Sequence, residues 1–191
     1  MATGAAAGPG PAIDHEGARE LCLRQLGYAP RTRSQLAATL AGKGVTDQVA
    51  TEVLDRLEDV RLVDDSRYAQ DWVRSRHASR GLSRRAIGQE LRRRGVADEV
   101  AAQALADLDG AAEEERAREL VDAKLRSTRG LDITVRTRRL VGMLARKGYG
   151  PGLATRVVRE QLALEPDVDP ADRRFLDDLD GPLSDLARTG E

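Results

Sequence analysis

Between Arg74 and Arg94 the chain sets eight guanidinium groups, Arg74, Arg76, Arg80, Arg84, Arg85, Arg92, Arg93 and Arg94, against one carboxylate, Glu90. A guanidinium stays charged at any physiological pH and presents a planar fork that pairs with a carboxylate or a phosphate through two hydrogen bonds. One acid cannot neutralise eight such groups. The cluster is therefore expected to bind phosphates or an acidic protein face, with counterion release adding affinity where the partner is a nucleic acid. The competing reading is an internal lattice with acidic helices elsewhere in the chain. Downstream the theme returns, with Lys124, Arg126, Arg129, Arg136, Arg138, Arg139, Arg146 and Lys147 against Asp132. From this second group Arg136, Arg138 and Arg139 join the expected binding set.

Nothing comparable points to catalysis. The chain lacks a GxxxxGK[ST] phosphate loop, a GxGxxG turn, an HExxH motif and any plausible set of nucleophile, base and orienting group, so no enzymatic activity and no cofactor are expected. Its two histidines, His15 and His77, have no companions at metal-ligand spacing, and Cys22 is the sole cysteine, which excludes an internal disulfide. Cys22 sits among Leu21, Leu23 and Leu26 and reads as a small buried hydrophobe. A reducing cytosol suits this composition, and no apolar run approaches the length of a membrane span. Tyr68 and Trp72 stand one helical turn apart and can serve as a stacking platform. They are better read as the bulk of a small core, given that only 3% of the chain is aromatic.

The elements that must carry these cations repeat. Setting Leu36, Ile87 and Leu140 equal puts Leu40, Leu91 and Leu144 four residues on, and Gly44, Gly95 and Gly148 eight on. Lys43, Arg94 and Lys147 each precede one of those glycines. Further along, Val49, Val100 and Leu153 keep step, as do Val53, Ala104 and Val157. A period of roughly 50 residues with helical spacing and no alternating run gives an all-α chain of three tandem three-helix, helix-turn-helix-like repeats, expected to form an elongated, curved solenoid. The repeats are expected over 14–63, 64–110 and 111–165, after a disordered tail at 1–13 and before an acidic tail at 166–191.

Within repeat one, Asp14 can cap a first helix reaching about Leu26. Thr32 and Gln35 have capping-box spacing, and Thr46 opens the third helix. In repeat two, Asp64 or Asp65 caps the first helix and Ser83 the second, with the third reaching Leu108. Repeat three is looser. Its first helix is expected from Glu113 to Arg126 and its second from Val135 to Lys147, and the turn between them is about four residues longer than its counterparts. Gly150 with Pro151 opens its last helix. The acidic tail is given a short helix around Phe175 to Leu179. Its acids are expected to compete with phosphate for the arginines, so that removing everything after Glu165 would tighten binding at low salt.

Three-helix units with a Gly turn resemble DNA-reading helix-turn-helix modules, which makes a transcription regulator the alternative function. Charge argues against it. The helices that would enter the major groove read TDQVATEVLDRL and ADEVAAQALADL, and their acids would be repelled by phosphate.

The stretch LVDDSRYAQDWV, followed by Arg76, Arg80 with Gly81, and IGQELRRRGV, resembles the RecX family of recombinase regulators. The likeness extends over roughly 14–165. Arg61 departs from it, standing where a glycine is expected, and Gly88 is unusual inside a helix. The resemblance implies a cytoplasmic, non-enzymatic, monomeric protein. It would bind the RecA recombinase and its filament on single-stranded DNA, restrain ATP hydrolysis, filament growth and strand exchange, and so regulate repair and recombination. Direct contact with single- or double-stranded DNA is a further expectation.

Overall fold

A computed structural model describes residues 13–166 and 169–178, and every regular element among them is helical. The α-helices are α1 (His15–Tyr28), α2 (Arg33–Ala41), α3 (Asp47–Asp59), α4 (Asp65–Arg80), α5 (Arg84–Arg93), α6 (Asp98–Ala104), α7 (Gly110–Leu125), α8 (Ile133–Arg146), α9 (Pro151–Ala163) and α10 (Pro170–Asp178), with a 3₁₀ turn at Arg126–Thr128. The chain divides into two compact units. One takes the described residues up to Trp72 together with Glu90–Ala104. The other takes Val73–Gln89 together with the described residues from Leu105 onward. The expected N-terminal tail at 1–13, apart from Ile13, and most of the far C-terminal segment lie outside the described residues.

The repeat register is realised in the backbone. Leu36, Leu40, Ile87, Leu91, Leu140 and Leu144 are all buried. Gly44, Gly95 and Gly148 take φ of 79°, 76° and 90°, the left-handed conformation a side chain resists. Just beyond each, the amide of Val45, Val96 or Tyr149 reaches back to the carbonyl of Leu40, Leu91 or Leu144 at 3.1, 3.1 and 3.2 Å. That 6→1 bond closes the helix and satisfies a carbonyl left open at its end.

In the first unit α1, α2 and α3 pack on one another around Ala18, Cys22, Leu36, Leu40, Val53, Leu54 and Leu57. Asp14 caps α1, and Thr32 with Gln35 forms the expected capping box on α2. Of the two candidate caps for α4, Asp64 takes the role by accepting from the Arg67 amide at 2.8 Å. Asp65 instead accepts from the Arg33 amide at 2.9 Å, and burial pushes its carboxyl up. The Arg33 guanidinium spans Asp55 and Glu58 at 2.6 and 2.5 Å, fastening α2 to α3. Cys22 is buried, which raises its thiol pKa and leaves little reactive thiolate.

Arg61, the residue that departs from the glycine pattern, has φ of 57° and is the one non-glycine with positive φ among the described residues. A β-carbon in that conformation costs about 1 kcal/mol. Arg61→Gly should therefore stabilise the protein by about 0.5–1 kcal/mol, and a thermal midpoint that falls instead would show the side chain to be making compensating contacts.

In the second unit α9 is central and contacts α7, α8 and α10. Its core gathers Val121, Leu140, Leu144, Tyr149, Val157, Val158, Leu162 and Leu176. Helix boundaries here differ from expectation. Asp109 caps α7 at Gly110, three residues before Glu113; α6, which belongs to the first unit, ends at Ala104, short of the buried Leu105 and Leu108. The extra residues between α7 and α8 do not make a long loop. They form the 3₁₀ turn and an added turn of α8, which starts at Ile133 because Asp132 accepts from the Thr134 and Val135 amides. The helix expected near Phe175 begins at Pro170, and Leu176 is 1% exposed, so cutting after Glu165 would remove core as well as acids.

Tyr149 is 3% exposed and its hydroxyl finds no hydrogen-bond partner among the described residues. Burial, reinforced by the charge of Glu113, pushes its pKa up to about 12. Folding thus favours the neutral phenol. That preference is intact below pH 10 and is lost as pH rises through 12, about 3 kcal/mol in all. Denaturation at alkaline pH followed by tyrosinate absorbance checks this, and Tyr149→Phe should flatten the profile without loss of stability at neutral pH.

Candidate functional site

The expected binding residues separate into three groups once placed. In the first unit, Arg92, Arg93 and Arg94 close α5. Arg92 pairs with Asp98 at 3.1 Å, but with side chains 64% and 83% exposed the pair contributes little and can exchange partners. Arg93 is exposed and takes no carboxylate partner among the described residues. Arg94 is half-buried, its guanidinium lying 3.7 Å from the centroid of the Trp72 ring. The opposite edge of that aromatic pair is Tyr68, stacked on Trp72 at 5.7 Å and 12° and itself 8% exposed. Glu90, the lone acid of the cluster, accepts from the indole N–H at 2.8 Å. Tyr68 is thus buried, and half-buried Trp72 gives its N–H to Glu90 and its ring to Arg94 by a cation–π contact, so the pair is engaged within the protein.

In the second unit, Arg74 and Arg76 lie on α4 and are already engaged. Arg80 ends that helix with its guanidinium exposed, while its carbonyl accepts from the Lys147 ammonium at 2.6 Å. Arg84 is tied at both ends, its amide to Glu113 at 2.8 Å and its guanidinium to the Leu108 carbonyl at 3.1 Å. Arg85 next to it is exposed without a carboxylate partner among the described residues.

The third group, on α8, divides. Arg138 and Arg139 are exposed, whereas Arg136 points inward, against the expectation that it would join the basic face. Its guanidinium meets Glu165 at 2.6 Å, with side chains 9% and 11% exposed, and its Nε donates to Thr128 at 3.3 Å. The added turn of α8 explains this. In repeat register Arg136 falls where Thr32 and Ser83 fall, and those residues are 0% and 1% exposed. That register was available from the sequence alone.

Arg138 and Arg139 instead line a groove of about 470 Å³ with Lys124, Arg146, Leu140 and Met143. Lys124 and Arg146 belong to the cationic count of the third repeat but had not been singled out. No acid lines this groove. A lattice does exist elsewhere in the unit, where Arg118 and Arg156 both pair with Glu114. It consumes arginines that were never assigned to binding.

Among the described residues no cluster of His, Cys, Asp and Glu can hold a metal, and no helix is long and apolar enough to cross a membrane. Helices α3 and α6, which a DNA reader would place in the groove, begin with Asp47 and with Asp98 and Glu99.

Family models match three successive segments: RecX, first three-helix domain, over residues 18–57; second, over 64–105; third, over 112–158. The chain is 52% identical over 150 residues to the Regulatory protein RecX of Streptomyces coelicolor, covering 78% of this chain and 80% of that one. It is 50% identical over 151 residues to the protein of the same name from Mycobacterium avium, covering 78% and 87%. The crystal structure of RecX from Lactobacillus salivarius superposes with a TM-score of 0.71 at 20% identity, covering 79% of this chain and 98% of that chain, a likeness of fold. Three domain matches in order and half-identity across most of the chain, on top of the thrice-repeated Leu, Leu and Gly register, make this chain a member of the RecX family.

Proposed function

We propose that this chain is a cytoplasmic, non-enzymatic regulator that binds the RecA recombinase and its filament on single-stranded DNA, as a monomer, and thereby restrains ATP hydrolysis, filament growth and strand exchange. The observation carrying the reading is that Arg80, Arg85, Arg93, Arg138, Arg139 and Arg146 are exposed and take no carboxylate partner among the described residues. Guanidinium groups held on rigid helices and left unneutralised lose little on meeting an external anion, because no internal bond must first break. Supporting this, the relatives carry the name of a regulatory protein.

The test uses the two arginines of α5 that the structure leaves unpaired, Arg85 and Arg93. Arg84 and Arg92 already have internal partners and would confuse the result. The double change Arg85→Ala with Arg93→Ala should weaken co-sedimentation with recombinase filaments by roughly ten- to thirtyfold, about 1 kcal/mol per guanidinium, and relieve inhibition of the recombinase ATPase in parallel. Helicity should be unchanged. Undiminished inhibition at equal protein concentration would remove these two arginines from the interaction.

A further inference from the structure

We propose that the groove between α7 and α8 is a binding site for a free nucleoside triphosphate, a small ligand distinct from any filament or strand. The groove's volume of about 470 Å³ falls in the range of small-molecule sites. Its rim carries four cations, Lys124, Arg138, Arg139 and Arg146, none with a carboxylate partner among the described residues. Arg139 and Arg146 stand two turns apart along α8, about 10 Å by helical rise, and Met143 lies on the same face between them. Four positive charges match the roughly four negative charges of a metal-free triphosphate near neutral pH. On the floor, half-buried Met143 beside the core residue Leu140 supplies the apolar surface that a base or sugar needs and that inorganic phosphate does not use.

The lining also narrows the ligand class. No aromatic side chain is present, so the base stacking that holds an unpaired strand independently of sequence is missing. Nor is there an acid to ligate a divalent cation, so the lining offers only positive charge to the phosphates, which favours the metal-free anion over its magnesium complex. The two hydroxyls at the edge are committed elsewhere, Ser127 donating to the Lys124 carbonyl at 2.8 Å and Thr128 to the Leu125 carbonyl at 2.9 Å. Recognition therefore rests on the four cations and the floor. The neighbouring cavity around Arg136 makes the contrast, since Glu165 and Asp172 line it together with the arginines and leave no net demand for an anion.

This inference shares Arg138, Arg139 and Arg146 with the recombinase reading, but its assay contains no recombinase, so the two can fail separately. Equilibrium dialysis of the full chain with ATP at moderate salt and without magnesium should show saturable binding of one nucleotide per chain. The double change Arg139→Ala with Arg146→Ala should weaken it at least about tenfold, as two charge-assisted contacts are lost. Lys124→Ala, at the exposed end of α7, should weaken it severalfold and serves as the second variant if the double change unfolds the chain. Arg85→Ala with Arg93→Ala should leave it within twofold. Inorganic triphosphate should bind several times more weakly than ATP, and excess magnesium should weaken ATP binding by masking its charge. Non-saturable uptake, equal loss from both arginine pairs, or displacement of ATP by an oligonucleotide or by polyglutamate at matched charge would overturn the proposal, the last two pointing to a strand path or to plain charge attraction.

Discussion

Glu165→Ala should destabilise the second unit by about 3–5 kcal/mol, the largest effect expected of any single substitution here. Arg136 and Glu165 meet at 2.6 Å with side chains only 9% and 11% exposed. Removing the acid leaves a guanidinium buried with Thr128 as its remaining hydrogen-bond partner, at 3.3 Å. Burying an uncompensated charge costs far more than the intact pair contributes, and the asymmetry gives the test its shape. Arg136→Ala should cost less, since Arg129 at 3.6 Å still faces the Glu165 carboxylate. The joint replacement Arg136→Met with Glu165→Leu should be close to neutral. Urea midpoints for the parent chain and the three variants rank these costs, and a cost under about 1 kcal/mol for Glu165→Ala would mean that water reaches the pair. Because Arg136 faces inward, the joint replacement should also bind recombinase filaments as the parent chain does. That outcome separates an internal arginine from the exposed Arg138 and Arg139.

The second large effect compares three glycines of nearly equal conformation. At Gly148 a β-carbon would come within 2.6 Å of the Ala86 β-carbon and 2.7 Å of the Ser83 hydroxyl, and at Gly95 it would collide with the Ser34 side chain. At Gly44 it would meet nothing within 4 Å. Gly148→Ala should therefore cost about 3 kcal/mol, the left-handed backbone penalty plus a steric shift of the α5 start, and Gly95→Ala a similar amount. Gly44→Ala carries the backbone penalty alone, about 1 kcal/mol. Equal costs at all three positions, read from urea unfolding with unchanged m values, would show that the close approaches are relieved by small motions.

Much of this architecture was legible because it repeats. The Leu36, Ile87 and Leu140 register placed the buried positions and the three left-handed glycines, and hydroxyl or carboxylate caps such as Thr32, Ser83 and Asp14 behaved as their chemistry dictates. What escaped depended on tertiary partners. Pro170 to Asp178 looks like part of an acidic tail, and only the apolar surface of α9 explains why Leu176 is buried. Counting cations treated Arg136 as equal to Arg138, yet one turn of added helix sends the first inward and leaves the second exposed. Arg84 was expected to face a partner, and a backbone carbonyl at Leu108 holds it instead. The groove of the third repeat could not be read from charge alone, because composition does not say which cations share a concave surface.

The turns at Gly95 and Gly148 share one further property. Each presses against the start of the middle helix one period earlier, where Thr32 donates its hydroxyl to the Arg94 carbonyl at 2.6 Å and Ser83 donates its amide to the Lys147 carbonyl at 3.0 Å. Successive modules are therefore coupled by a single reusable socket and plug, and Gly44 is a plug with its socket vacant among the described residues. An engineer wishing to lengthen the array has a ready splice point: a duplicate module placed upstream, with a hydroxyl-bearing cap and a small residue two positions on as at Ser34 or three on as at Ala86, should click onto Gly44 without redesign of either core.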